Sequence, residues 1–235
     1  MEYIINAPVT AASAGPVYGV ITIESPELAG AASPGQFLHI RCEGYQLRRP
    51  ISIAGVAGDR LTVIYEIKGK GTRWLSRRKA GDMLNVLGPL GHGFPEARGK
   101  VLLVGGGVGS GKSVILNYLK EKYKAEIIGM DETAHELYRP GEKGFAAQGV
   151  SAMLAQGRYD AVFACGPKIM LKTTFEAARA AGVPCWVSLE ERMGCGLGAC
   201  LTCATPIRGA DGQKVMKEAC KDGPVFRGEE VIWDG

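Results

Sequence analysis

Four of the chain's seven cysteines, Cys195, Cys200, Cys203 and Cys220, fall within 26 residues near its C-terminal end. The first three sit in MGCGLGACLTC, a C-x4-C-x2-C run, and sixteen residues separate Cys203 from Cys220. Whatever fold the chain adopts must bring these thiols to one place. Gly194, Gly196 and Gly198 punctuate the run, and glycines there permit positive φ and close backbone approach, leaving amide N–H groups free to point at sulfur. The spacing is that of plant-type [2Fe-2S] sites, in which four thiolates hold two irons. Two plainer alternatives stand beside it. A structural zinc site more often uses two C-x2-C pairs, and buried structural thiols rarely gather in a glycine loop with few large apolar residues.

Cys42, Cys165 and Cys185 stand singly among apolar neighbours. An odd total and no export signal predict reduced thiols rather than disulfides. The start, MEYIINAPVT, lacks the basic beginning and the apolar run of roughly 7–15 residues of a signal peptide. Runs such as VLLV fall far short of the ~18–20 residues that cross a bilayer. The 28 basic and 24 acidic residues, net +4, form no block of the kind that binds nucleic acid. The expectation is a soluble, cytoplasmic protein with neither nucleic acid nor membrane as partner.

The hydrophobic pattern changes twice along the chain. Up to about residue 90, VYGVITIES, QFLHIRC, ISIAGV and RLTVIYEI alternate apolar and polar positions between Gly, Pro and Asp turns, predicting a small antiparallel barrel. A short helix is expected over Thr72–Arg78, followed by a strand in GDMLNVLGPLGHGF. From Val101 the segments KVLLV, SVILNYLKEKY, AEIIGM, TAHELY, GVSAML, DAVFACG, MLKTTFEAARAAG and CWVSL alternate apolar strands with helices. That alternation implies a doubly wound α/β domain, its parallel sheet covered on both faces. After Leu189 regularity is expected to give way to a small unit organised around a metal centre. The predicted architecture is therefore β + α/β: a barrel over 1–97, a nucleotide-binding domain over 98–189 and a cluster-binding subdomain over 190–235.

In the barrel half, Arg49 and Ser52 form R-x-x-S at the start of a strand. Arginine supplies a planar set of donors and serine a hydroxyl, a combination that binds pyrophosphate; taken alone it is equally an arginine pair beside a Pro-bounded edge strand. In IYEIKGKGTRWL, Gly69, Gly71 and Thr72 precede the expected helix, where backbone N–H groups can face a phosphate, or simply cap it.

Taken in order, RRPISI, IYEIKGKGT, GPLGHGF, VLLVGGGVG, DAVFACGP and SLEERMGCGLGACLTC resemble the electron-transfer subunits of NAD-dependent dihydroorotate dehydrogenases, relatives of the ferredoxin–NADP reductases. The resemblance spans roughly residues 1–109 and 143–235. It implies FAD on the barrel, NAD on the sheet and [2Fe-2S] at the C-terminal end. Arg49, Pro50, Ile51, Ser52, Ile64, Tyr65, Glu66, Gly71 and Thr72 would hold FAD. Gly105, Gly106, Gly107 and Gly109, with Cys165, Gly166 and Pro167, would border NAD at the carboxyl ends of the strands, where open α/β sheets bind ligands. By itself Cys165 is a packed small thiol. The implied partner is an FMN-containing dihydroorotate dehydrogenase catalytic subunit, whose electrons would pass singly through the cluster to FAD and then as hydride to NAD+ in pyrimidine biosynthesis. The cofactors carry that chemistry and the protein places them.

One segment departs from this pattern. Gly106–Ser113 spells GGVGSGKS, a complete P-loop, in which Lys112 would reach terminal phosphates and Ser113 a Mg2+ ion. Residues 106–142 resemble the beginning of dephospho-CoA kinase, including D-x-x-A-H-E-L with Asp131 and His135. Those two residues read equally as a helix-capping Asp and a solvated His. The kinase's lid and acceptor region do not follow, because reductase-like sequence returns by about Lys143. The alternatives are a kinase-like nucleotide-binding protein, or a chimera that binds flavin and cluster but has lost NAD reduction.

Overall fold

The computed structural model describes residues 3–97, 99–106, 126–129 and 145–233. Six strands close into an antiparallel barrel: β1 (Tyr3–Ala14), β2 (Tyr18–Glu24), β3 (Phe37–Ile40), β4 (Arg49–Ala57), β5 (Arg60–Glu66) and β6 (Met83–Leu90), in the order β1-β2-β5-β4-β3-β6. Closure leaves no strand edge open to pairing. Alternation decides what faces inward: Leu61, Val63 and Tyr65 of β5 enter the core with Ile21, Ile23, Leu38, Ile40, Ile53, Leu84 and Val86.

The barrel has two elements that the hydrophobic pattern does not announce. Strand β1 contains Pro8 and several alanines and shifts register against β2 between Val9 and Ala11, so its alternation is weak. Helix α1 (Pro26–Ala31) is one short turn started by Ser25, whose Oγ accepts from the Leu28 N–H at 3.3 Å, with Pro26 at its first position. Helix α2 (Lys70–Leu75) corrects the expected Thr72–Arg78 span. The Thr72 hydroxyl accepts from the N–H groups of Lys68 and Gly69 at 3.0 and 3.1 Å, so Gly69 is the cap and Thr72 already lies in the first turn.

The second sheet runs β13-β10-β9-β7-β8. Strands β7 (Val101–Gly105), β8 (Glu126–Gly129), β9 (Ala161–Cys165) and β10 (Cys185–Ser188) are parallel, as their apolar runs predict, and β7 and β9 are buried throughout. Helices α3 (Phe145–Gln156) and α4 (Lys168–Ala180) accompany them. Gly107, Gly109, Lys112, Ser113, Asp131 and His135, and the helices expected over SVILNYLKEKY and TAHELY, lie outside the described residues. Among the described residues no helix is long and apolar enough to cross a membrane.

Beyond Leu189 the chain is more regular than expected. Strands β11 (Ala204–Arg208) and β12 (Lys214–Glu218) form a hairpin, and β13 (Val225–Arg227) returns antiparallel to β10. These strands are short and mostly polar on their exposed positions, which hides their period. The return of β13 ties the C-terminal segment to both larger units: Leu189 N–H donates to Pro224 O at 2.9 Å, and His92 N–H donates to Gly223 O.

Gly91 sits at this junction with φ +76°, and a Cβ there would stand 2.6 Å from Gly223 O and 2.7 Å from Pro224 Cδ. Gly58 also has positive φ, +58°, but nothing within 4 Å. Gly91→Ala is therefore expected to destabilise the protein by about 1–3 kcal/mol, the cost of a strained backbone together with a clash. Scanning calorimetry on both variants checks this: Gly91→Ala should lower the apparent unfolding temperature clearly more than Gly58→Ala.

Candidate functional site

The fold brings the four clustered cysteines together in pairs. Cys195 N–H donates to Cys200 Sγ at 3.3 Å, and Cys220 N–H donates to Cys203 Sγ at 3.4 Å. Leu197 and Ala199 N–H groups both donate to Cys195 Sγ at 3.3 Å, and Gly198 N–H to Cys220 Sγ at 3.2 Å. Every sulfur of the four thus faces at least one amide hydrogen. The loop can turn its amides inward because Gly196, Gly198 and even Leu201 adopt positive φ, +76°, +79° and +56°. Among the described residues no three His, Cys, Asp or Glu side chains converge on a single ion position. Two pairs of thiols fit a two-iron centre, which needs two thiolates on each iron, better than they fit one tetrahedral zinc.

The pairs differ in environment. Cys200 is exposed, its Sγ hydrogen-bonded to Thr202 Oγ1 at 3.1 Å, and its hydrogen bonds with the Thr202 side chain and backbone hold its thiol down at about 6, with the Cys195 backbone assisting. Cys220 is buried, and burial first, then neighbouring Cys203, pushes it up to about 12. Cys203 and Cys220 pack with Phe37, Leu87 and Leu90 on the outside of the barrel. Phe37 and His39 project from β3 on the side away from its core residues Leu38 and Ile40, which is why all four residues of this strand are buried. The His39 imidazole is neutral: burial, followed by the charge of Arg48, lowers it to about 4.

Phe37 also walls a cavity of about 290 Å3 between barrel and sheet. Pro50, Ile51, Ser52, Ile64, Tyr65, Glu66 and Cys165 line it, so seven of the residues singled out in the sequence meet at one place. The Tyr65 side chain belongs to the barrel core, where burial raises its hydroxyl to about 12, so the side chains β5 presents outward are those of Ile64 and Glu66. Arg49 does not line this cavity but an adjoining concavity shared with His39, Cys195 and Cys200, its guanidinium over the Tyr45 ring at 5.7 Å and against Gly71. A Cβ at Gly71 would be 2.2 Å from Arg49 Nε. The Thr72 hydroxyl also donates to Gly69 O, so it shapes the turn beneath the arginine.

Across the cavity, β7 lies between β8 and β9, so the chain leaves it on one side and returns on the other. Ligands bind open sheets at such a switch point, outside the carboxyl ends of the strands. Here the Gly105–Gly106 turn meets the Cys165–Gly166 turn, with Gly106 N–H donating to Cys165 O at 3.2 Å. A Cβ at Gly166 would stand 2.2 Å from Met170 Cε and 3.0 Å from Gly106 O, so a side chain here would displace the end of Met170 and crowd the Gly105–Gly106 turn. Gly166 and Pro167 border a smaller cleft of about 150 Å3.

Ser188, Leu189, Glu190, Glu191 and Met193 line the cavity between barrel and sheet as well, and the residue patterns did not single them out. Ser188 ends the last parallel strand and the other four follow it, at the carboxyl end where ligands are expected, and that position was the available signal. Glu191 is held by the buried Thr205, whose hydroxyl donates to its Oε1 at 3.0 Å. Phe37 carried no such signal.

Residues 190–232 match the model of the iron-sulfur cluster binding domain of dihydroorotate dehydrogenase B. The chain is 41% identical over 221 residues to the dihydroorotate dehydrogenase B (NAD(+)) electron transfer subunit of Caldanaerobacter subterraneus subsp. tengcongensis, covering 85% of this chain and 87% of that one. It is 38% identical to the corresponding subunit of Geobacillus thermodenitrificans, covering 90% and 91%. Among solved structures, the NADH-dependent reduced ferredoxin–NADP oxidoreductase studied for flavin-based electron bifurcation superposes with a TM-score of 0.76 at 33% identity, over 100% of this chain and 92% of that one. Identity at this level along nearly the whole of both chains means that this protein belongs to the family of electron transfer subunits of NAD+-dependent dihydroorotate dehydrogenase B.

Proposed function

We propose that this chain carries electrons from a separate subunit that oxidises dihydroorotate to NAD+, through a [2Fe-2S] cluster on Cys195, Cys200, Cys203 and Cys220 and an FAD on the barrel. The observation that carries this reading is the shared wall: Phe37 lines the flavin cavity on one side and packs with Cys203 and Cys220 on the other. Bound there, FAD supplies the exchange between hydride and single electrons, and the cluster supplies the single-electron relay. The protein's part is placement, and no side-chain acid or base is required of it.

Each group has residues suited to hold it. Arg49 offers a cationic fork whose position Gly71 makes possible, suited to a pyrophosphate, and Pro50, Ile51, Ser52, Ile64, Tyr65, Glu66 and Thr72 shape the adjoining surface for the rest of FAD. The turns at Gly105–Gly106 and at Cys165, Gly166 and Pro167 are suited to NAD, which they would hold beside the cavity that Cys165 lines. Amide hydrogens aimed at sulfur stabilise the negative charge of a thiolate-bound cluster. The exposed half of the cysteine loop, where Leu197 and Leu201 stand 47% and 61% exposed around Cys200, is the docking face for the FMN-containing catalytic subunit. A cytoplasmic location suits such a complex.

The protein isolated under anaerobic conditions is expected to be red-brown, with one flavin and about two irons per chain. A colourless protein that retains ATP with Mg2+ would contradict the proposal. Gly71→Val is expected to push Arg49 aside and weaken FAD binding about 10- to 100-fold while the iron content stays unchanged, as followed by FAD titration of the flavin-free protein. Gly166→Ala is expected to slow reduction of the flavin by NADH about tenfold or more, with reduction by dithionite unaffected. Equal NADH rates in both proteins would remove this turn from the NAD site.

A further inference from the structure

His39 is a side chain whose hydrogen bonds the described protein atoms do not complete. It is 1% exposed, and neither Nδ1 nor Nε2 has a hydrogen-bond partner. A neutral imidazole in either tautomer has one N–H to donate, and a buried donor left unmatched is costly enough that native structures rarely keep one. The rest of the residue is well tied down. Its carbonyl accepts from Arg48 Nη1 at 3.1 Å, and Arg48 is itself anchored on Asn85 of β6.

The ring points at the cysteine loop. A Cβ on Gly196 would be 2.5 Å from His39 Nδ1 and 3.0 Å from Cε1, so the imidazole edge lies against this glycine. The Cys195 main chain approaches the ring without closing a hydrogen bond. His39 also shares a concavity with Cys195, Cys200 and Met193. On its other side, strand register sets His39 opposite Pro50 and Phe37 opposite Ser52, on the strand assigned to FAD. Within the loop, the amides of Leu197, Gly198 and Ala199 already serve the sulfurs of Cys195 and Cys220. These donors come from the loop alone; from the barrel side His39 borders the same concavity with Gln46, Arg48 and Arg49, and of these four it is the buried one, with neither ring nitrogen hydrogen-bonded.

We infer that His39 is a positioning residue for the cluster: its imidazole N–H donates from the barrel side to a sulfur of the bound [2Fe-2S] centre, cysteinyl or sulfide. This rests on the cysteine loop being the cluster's site and adds a donor outside it. Hydrogen bonds to sulfur help set the potential of such a centre. By favouring the more negative, reduced state, this one raises the potential. It also ties the cluster to the strand that positions the flavin.

The test uses the full chain with its cluster and flavin, reduced stepwise and followed by electron paramagnetic resonance. His39→Leu keeps an apolar side chain without a donor, and His39→Gln restores an N–H. At the ambient potential where the wild-type cluster is half reduced, the ratio of reduced to oxidised cluster is expected to fall about 3- to 10-fold in His39→Leu and to recover most of that loss in His39→Gln. Independently of either variant's folding, pulsed resonance on wild-type protein labelled with 15N-histidine should show a histidine nitrogen coupled to the reduced cluster, and the coupling should persist in His92→Asn. Equal potentials in the three proteins, or no coupled histidine nitrogen, overturns the inference while leaving the cluster assignment intact. A wild-type chain with no reducible cluster contradicts the loop assignment and this inference together.

Discussion

Strand β3 is buried on both faces, and the arrangement of the rest follows from that. A strand in a closed barrel normally shows one apolar face to the core and a wetter one outside, yet Phe37, Leu38, His39 and Ile40 are all buried. Leu38 and Ile40 complete the barrel interior, while Phe37 and His39 form the floor on which the cysteine loop rests. Withdrawing that floor would expose the apolar flank of Phe37, Leu87 and Leu90 and leave Cys203 and Cys220 without their packing. The cysteine loop and the barrel are therefore held as one unit through a four-residue strand, with the proposed flavin cavity on the far side of Phe37.

The loop in turn has an inner and an outer side. Cys203 and Cys220 are buried toward Phe37, and Cys200 is open to solvent between exposed leucines. An electron carrier between two partners needs this asymmetry, because one iron must lie close to the internal acceptor and the other close to the surface. The backbone supports it with conformations that side chains rarely adopt, including Leu201 at φ +56°. Strain of that kind, about 1–3 kcal/mol for a non-glycine residue, is retained where surrounding structure requires it.

Much of this was legible in the residues. Spacing alone marked the four cysteines, and alternation found β2 to β6, because a half-buried strand writes its period plainly. Fully apolar runs marked β7, β9 and β10. What escaped lacked a period. Pro8 and a register shift blur β1, the short strands β11 and β12 break any alternation with Pro206 and the exposed Val215 and Met216, and β13 is three residues long. The β3 segment QFLHIRC read as an ordinary alternating strand, and the outward burial of Phe37 and His39 arises only from a loop more than 150 residues later in the chain. In the proposed flavin cavity, Pro50, Ser52 and Glu66 were legible because they stand in short strings on adjacent strands. Glu190, Glu191 and Met193 join them through tertiary folding after β10.

The proposed exchange of electrons between flavin and cluster takes place within this chain, across the wall formed by β3. Mixing the isolated full chain with NADH, freezing at successive times and recording the paramagnetic spectrum tests it most directly. The signal of a reduced [2Fe-2S] cluster is expected to grow in as the flavin absorbance falls, with no partner subunit present. A flavin that bleaches fully while the cluster stays oxidised, in a protein whose cluster dithionite reduces readily, would contradict it.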